Sequence, residues 1–216
     1  MKPWGCESDG GGCGGGGGRR RTRPMKLGVR RPRIMPDVTV ADSGIHGLGV
    51  FAARDFAEGE TILAVDDSRL VDDRHPLRPE LGEHDYHCDY LAGGRVVLMR
   101  WPERHINSSC DPNACYRWGG GVRRLVARRP IGAGEEVTTD YIIDCHGGEV
   151  WRCRCGSGRC RGTIVSSFFE LPLGLQLEYL PLLGEWFIAE HPGEVAALRR
   201  AAGGRDISTA GPVRGG

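Results

Sequence analysis

A mainly β fold built from many short strands is what the sequence predicts. From Val38 onward, short pieces rich in β-branched, aliphatic and aromatic residues alternate with Gly, Asp and Pro, the texture of small strands joined by turns. Leucines at helical spacing occur only near the C-terminal end. With 216 residues, 39% of them hydrophobic and 26% charged, the chain can bury one real core, and no internal repeat divides it.

Taken in order, the first strands are expected over 38–41, before Asp42, over 49–52, after His46-Gly47-Leu48, and over 61–65, between Gly59 and the pair Asp66-Asp67. Aromatics at Tyr86 and Tyr90 mark a strand over 86–90, and Gly93-Gly94 separates it from another over 95–99. The bend Asp111-Pro112-Asn113 leads into 114–117, Gly119 to Gly121 precede 122–127, and a Gly132-Ala133-Gly134 hairpin turn feeds 136–138. Leu173, Leu177 and Leu180, then Leu183 and Phe187, recur at three- and four-residue spacing and predict helix despite Pro181. That apolar stripe is expected to pack on the body of the domain. A second short helix is expected over 194–200, and the chain should fray beyond it, as a flexible tail over 202–216.

Charge is divided unevenly. Residues 1–36 hold 9 of the 29 basic groups and 2 of the 28 acidic ones, so the arm carries +7 and the remainder −6. Gly10 to Gly18 and Arg19-Arg20-Arg21-Thr22-Arg23 cannot bury enough apolar surface to offset ordering, so 1–36 is expected to be a disordered Gly/Arg-rich arm. No run approaches the length of a membrane span, and the N-terminus lacks a signal-type apolar stretch, which predicts a soluble intracellular chain, cytoplasmic with the nucleus left open. Nine cysteines, an odd number without a secretory signal, point to metal ligation rather than a disulfide framework.

The most specific chemical signal is Cys153-Arg154-Cys155-Gly156-Ser157-Gly158-Arg159-Cys160. Three thiols this close suit one tetrahedral zinc, and the interleaved glycines suit a tight wrap around it. A fourth ligand must come from elsewhere, with Cys110, Cys115, Cys145 and His146 as candidates. Three further segments carry polar and small residues in patterns that are weak singly: 43–52 (Ser43-Gly44-Ile45-His46-Gly47-Leu48-Gly49), 104–113 (through Asn107-Ser108-Ser109-Cys110-Asp111-Pro112-Asn113) and 132–141 (Gly134-Glu135-Glu136 through Asp140-Tyr141).

In this order the four segments resemble the SET-domain protein-lysine methyltransferases that carry a post-SET zinc motif, over roughly 38–164. The resemblance implies a SET fold of small curled β-sheets with a pseudo-knot, over 37–145, a zinc motif over 146–164 and a short helical extension over 165–201. It implies that His46, Gly47, Leu48 and Gly49 meet S-adenosylmethionine through backbone, that Asn107 binds the amino-acid end of that methyl donor, and that Ser108 lies towards its adenine. It makes Cys110 the fourth ligand of a structural zinc, with Cys153, Cys155 and Cys160. Tyr141 becomes the phenol at the inner end of a lysine channel, and Tyr86 resembles the second channel tyrosine. Trp151 is expected either over the adenine or in the core. Three features depart from the family pattern: Ser108 replaces a histidine, Thr139 stands where a Phe or Tyr limits the number of methyls added, and Arg100-Trp101-Pro102-Glu103 lacks the Gly-Asn pair that usually precedes the Arg-x-Ile-Asn step.

The function implied is S-adenosylmethionine-dependent methylation of a lysine amine on a protein substrate, such as a basic tail. Two rivals differ in class. One is a non-catalytic SET-like binding module, and the other a zinc-stabilised nucleic-acid binder using the arm. The acidic core suits a basic peptide better than a nucleic-acid backbone, which only the arm could meet.

Overall fold

A computed structural model describes residues 37–203; the arm at 1–36 and the tail from residue 204 lie outside the described residues. The strands are β1 (Val38–Asp42), β2 (Leu48–Ala52), β3 (Thr61–Ala64), β4 (Cys88–Leu91), β5 (Arg95–Leu98), β6 (Asn107–Ser108), β7 (Ala114–Gly119), β8 (Val122–Ala127), β9 (Glu136–Thr139), β10 (His146–Arg152) and β11 (Thr163–Ser167). Helices α1 (Leu173–Tyr179), α2 (Glu185–Glu190) and α3 (Pro192–Ala201) follow. The mainly β expectation holds, with four small sheets in place of one large one.

Sheet order is β1-β2-β9-β6 in the largest and β3-β8-β7 in the next, with β4-β5 and β10-β11 as separate hairpins. All pairings are antiparallel except β6 with β9, which run parallel in the register Asn107 to Thr138 and Ser108 to Thr139. Parallel neighbours need a long connection, and here the whole β7–β8 hairpin and the Gly132-Ala133-Gly134 turn lie between them. This pair brings together the two segments that the expected chain crossing requires. Asn113 secures it: its Nδ2 donates to Glu136 O at 2.8 Å, and its Oδ1 accepts from Thr138 N at 2.8 Å.

Two hydrophobic cores result. The first collects Val38, Val50, Phe56, Leu63, Leu125 and Val137 from the two larger sheets. The second joins Cys110, Ile142 and Ile164 to Phe168, Tyr179, Phe187 and Leu198 of the C-terminal extension. Beneath β4 and β8 the Arg123 guanidinium, 4% exposed, meets three carboxylates: Asp67 at 2.7 Å, Glu103 at 3.1 Å and Asp89. One cation cannot neutralise three anions, and burial pushes Glu103 up to about 8, so that it keeps its proton at neutral pH.

Several expectations are corrected. The strand expected over 86–90 starts at Cys88, because 85–87 form a 3₁₀ turn with His87 N bonded to His84 O at 3.1 Å. β6 was too short to detect by alternation, and β10 and β11 were masked by the glycines and cysteines around them. Pro181 divides the leucine stripe into α1, a 3₁₀ turn at Leu180–Leu182 and α2. Leu173 at the start of that stripe is 53% exposed, whereas Tyr179 is fully buried and takes the packing role.

Candidate functional site

The β6–β9 register sets the site. Tyr141 lies two residues beyond the end of β9, and both its ends are held by residues flanking Asn107: its Oη donates to Ile106 O at 2.6 Å and its backbone N–H to Ser108 Oγ at 3.3 Å. Burial, then the charges of Asp89 and Glu136, push the Tyr141 phenol above its ordinary range, so it remains protonated. A phenol whose proton goes to a carbonyl keeps electron density on oxygen for a further partner. Its ring lines a cavity of about 160 Å³, together with Tyr90, Ile106, Tyr116, Trp118 and Thr139. Thr139, 3% exposed to solvent, contributes a small side chain to that lining.

Tyr86 is not part of that lining. It is 43% exposed and stacks on His84 with centroids 4.9 Å apart, because the turn at 85–87 directs it away from the strand face. Tyr90 and Tyr116, from β4 and β7, occupy the wall where a second tyrosine was expected. Their signal was present as strand aromatics without a motif to mark them.

Asn107 is tied to the loop with the other expected donor-binding residues. Asn107 Nδ2 is within hydrogen-bond distance of Glu136 Oε1 at 2.8 Å, Ser43 Oγ at 3.0 Å, Leu48 O at 3.1 Å and His46 O at 3.2 Å. Two N–H groups among four acceptors make Asn107 the anchor of the loop. Ser43 Oγ in turn bonds both Glu136 oxygens, at 2.8 and 2.9 Å, and accepts from Ile45 N at 2.9 Å. Ser43 and Glu136 were missed as loop-fixing residues; each sits inside a quoted motif. His46 and Leu48 are exposed, and Gly47 has a φ of +49° with open space where a Cβ would stand, so ligand can approach that backbone.

Gly49 has a stricter reason to be glycine. A Cβ there would stand 2.3 Å from Glu136 Oε1 and 3.0 Å from Ser43 Cβ. Gly49→Ala should displace Glu136 from Asn107, costing about 1–3 kcal/mol of stability and loosening the 43–48 loop. Thermal unfolding reads the first effect; an unshifted midpoint would show that Glu136 adapts freely.

The four cysteines named from the resemblance come together. The Sγ atoms of Cys110, Cys153, Cys155 and Cys160 all lie within 4.8 Å of one another, and Cys110 and Cys153 are 3.6 Å apart. Tetrahedral zinc with bonds of roughly 2.3 Å sets sulfurs roughly 3.8 Å apart, so the donor set fits that ion. Cys115 and Cys145, the rejected alternatives, line the cavity instead. Burial raises the Cys110 thiol, whereas Cys155 is drawn down to about 6: burial opposes ionisation there, but hydrogen bonds from the Cys110 backbone and Ser157 outweigh it. The Arg161 N–H points at Cys110 Sγ at 3.4 Å, the kind of outer contact that orients a thiolate ligand. Trp151 packs against the second core, on the hairpin that leads into the cysteines.

A second bolt joins cysteine loop and cavity. Arg161 Nη2 donates to Asp140 Oδ1 at 2.9 Å, Nη1 lies 2.8 Å from Oδ2, and Tyr179 Oη donates to Oδ2 at 3.1 Å. Asp140 is wholly buried and precedes Tyr141. Arg161→Met would leave that carboxylate without its counter-charge and should cost about 3–5 kcal/mol. A chemical denaturation midpoint equal to wild type would refute this.

Residues 47–142 match the family model described as "SET domain". Among curated relatives, the Drosophila melanogaster histone-lysine N-methyltransferase ash1 is 31% identical over 147 residues, 63% of this chain and 7% of that protein. A Candida albicans histone-lysine N-methyltransferase, H3 lysine-36 specific, is 43% identical over 136 residues, 57% of this chain and 16% of its own length. A Saccharomyces cerevisiae histone-lysine N-methyltransferase, H3 lysine-4 specific, is 33% identical over 144 residues, 58% of this chain and 13% of its own length. The chain thus spans less than a fifth of the length of each of these relatives. The motif order, the parallel pairing that joins Asn107 to the approach of Tyr141, and the match over 47–142 identify a SET domain within this chain.

Proposed function

We propose that the chain is an S-adenosylmethionine-dependent protein-lysine N-methyltransferase with a structural zinc. The observation that carries the reading is the β6–β9 register, which pairs Asn107 and Ser108 with the strand that leads to Tyr141, a residue of the cavity lining. Relatives named for histone-lysine methylation support the same activity.

Methyl transfer from a sulfonium to an amine is an in-line displacement, so alignment of nitrogen, methyl carbon and sulfur lowers most of the barrier. His46, Gly47, Leu48 and Gly49 would hold S-adenosylmethionine through backbone, with Asn107 Oδ1 towards its ammonium and Ser108 flanking its adenine. The donor supplies the electrophilic methyl. The chain's own part is to desolvate a lysine whose solution pKa is about 10.4, in a cavity walled by aromatics, so that it reacts as the neutral amine. The Tyr141 oxygen orients that amine and stabilises the positive charge around the transferring methyl. Ser108 Oγ holds the Tyr141 backbone, a task that a serine performs at a position where the family has histidine. Zinc on Cys110, Cys153, Cys155 and Cys160 is structural, fixing the loop that carries Arg161 to Asp140.

The substrate read from charge is a basic protein segment such as a histone tail, since the chain outside the arm carries −6. Histone substrates would put the reaction in the nucleus rather than the cytoplasm first expected. Among the described residues no helix is long and apolar enough to cross a membrane. The test is transfer of labelled methyl from S-adenosylmethionine to purified core histones and to a mixed protein extract, with products mapped by mass spectrometry. Label on lysine supports the reading and reports how many methyls Thr139 permits; no label in either sample, with no binding of S-adenosylmethionine, overturns it.

A further inference from the structure

Three carboxylates border the cavity: Asp89, Asp140 and Asp144. Two are already matched by cations. Asp89 is paired with the buried Arg123, and Asp140 is held by both Arg161 nitrogens. The Asp144 carboxylate has a different partner, the uncharged amide of Gly184, whose N–H donates to Oδ1 at 2.7 Å. Asp144 is the one non-glycine residue with positive φ among the described residues, at 63°, and this turn carries its side chain towards the N-terminus of α2. Trp186 of α2 lines the same cavity, so the C-terminal extension, which lies beyond the residues matched to the family model, closes one wall around Asp144.

A carboxylate without a counter-ion on the wall of a cavity is a site for a cation. Resting on the function proposed above, we infer that Asp144 receives the incoming lysine ammonium and takes its proton before methyl transfer. The balance is simple. The ammonium N–H bond breaks with its proton passing to the Asp144 carboxylate; the freed lone pair forms the N–C bond, the C–S bond breaks, and its electron pair stays on sulfur. The proton then leaves Asp144 for solvent.

The surroundings favour this exchange. Burial pushes the Asp144 carboxyl up to about 7, partly offset by the Gly184 hydrogen bond, so its proton affinity is poised near neutral pH. Asp89 raises it further, whereas Arg117 and Arg123 oppose. Arg117 Nη1 is occupied by Pro181 O at 3.0 Å. The other titratable groups on the wall, Tyr90, Tyr116, Tyr141, Cys115 and Cys145, include phenols and thiols that burial shifts upward and thus keeps neutral.

The test is Asp144→Asn, which keeps an Oδ1 acceptor for Gly184 while removing the charge. With core histones and labelled S-adenosylmethionine, wild-type kcat/KM should fall as pH drops below about 7, as the carboxylate protonates. Asp144→Asn should lose at least about 10-fold at neutral pH and replace the limb near 7 by a rise that continues towards the ordinary lysine range, with zinc content, thermal midpoint and S-adenosylmethionine affinity unchanged. A variant that retains the wild-type rate, or that slows yet keeps the same acidic limb, overturns the inference alone. A wild-type chain that transfers no methyl overturns the enzyme reading and the inference together.

Discussion

Tyr141→Phe is expected to reduce methyl transfer by about 100-fold or more while leaving the fold standing, the scale at which a positioned polar group contributes in a transition state. The phenol bond to Ile106 O, at 2.6 Å, fixes the direction of the ring, and phenylalanine keeps the ring while removing the oxygen. Ground-state binding should change little, since Asn107 and the 43–48 loop are tied to each other through Ser43 and Glu136 rather than through the phenol. The loss should therefore appear in kcat, with S-adenosylmethionine affinity near wild type. Leaving Ile106 O without its donor costs about 1 kcal/mol, a small fall in thermal midpoint. Activity within a few-fold of wild type would remove Tyr141 from the reacting centre.

The strands with plain alternation and clear turn residues were legible from sequence almost to the residue: Val122–Ala127 is found as expected, and the neighbouring pieces differ by a residue or two at their ends. Local signals sufficed there because each hairpin partner is close in sequence. β6 is different. Two residues, Asn107 and Ser108, have no periodicity of their own and become a strand only because β9 runs alongside. No propensity argument reaches a parallel pairing over that sequence distance; the resemblance implies a pseudo-knot but neither a strand at 107–108 nor its parallel partner.

Within the site, legibility followed the same division. Cys153, Cys155 and Cys160 announce a metal by spacing, but Cys110 lies 43 positions before Cys153, and spacing alone could not choose it over Cys115 or Cys145. Tyr86 reads as a strand aromatic in the sequence, but His84 to His87 close a turn, and one such turn leaves its side chain at the surface. Ser43 and Glu136 escaped because their contribution is a mutual hydrogen bond across 93 residues, visible only in three dimensions. Asp144 is in the same position: its sequence neighbours give no hint that Arg123 and Arg161 are spoken for by other carboxylates.

Removal of zinc should divide the molecule along its two cores. The first core, with Val50, Phe56, Leu125 and Val137, contains none of the four cysteines. In the second, which includes Ile164, Phe168 and residues of the C-terminal helices, Cys110 is a member and Cys153 and Cys155 pack against the cluster. Cys155→Ser should accordingly release about one zinc per chain and open the region after Cys145, while the first core keeps its amide protection in hydrogen exchange. Acidification should act in the same direction: the ligands bind as thiolates, and burial already raises Cys110, so falling pH protonates the set and frees the ion. Methyl transfer should vanish with the zinc, because Arg161 follows Cys160 and is the cation that holds Asp140, the residue before Tyr141. Zinc loss with full activity would break that link, and full zinc retention in Cys155→Ser would overturn the ligand set itself.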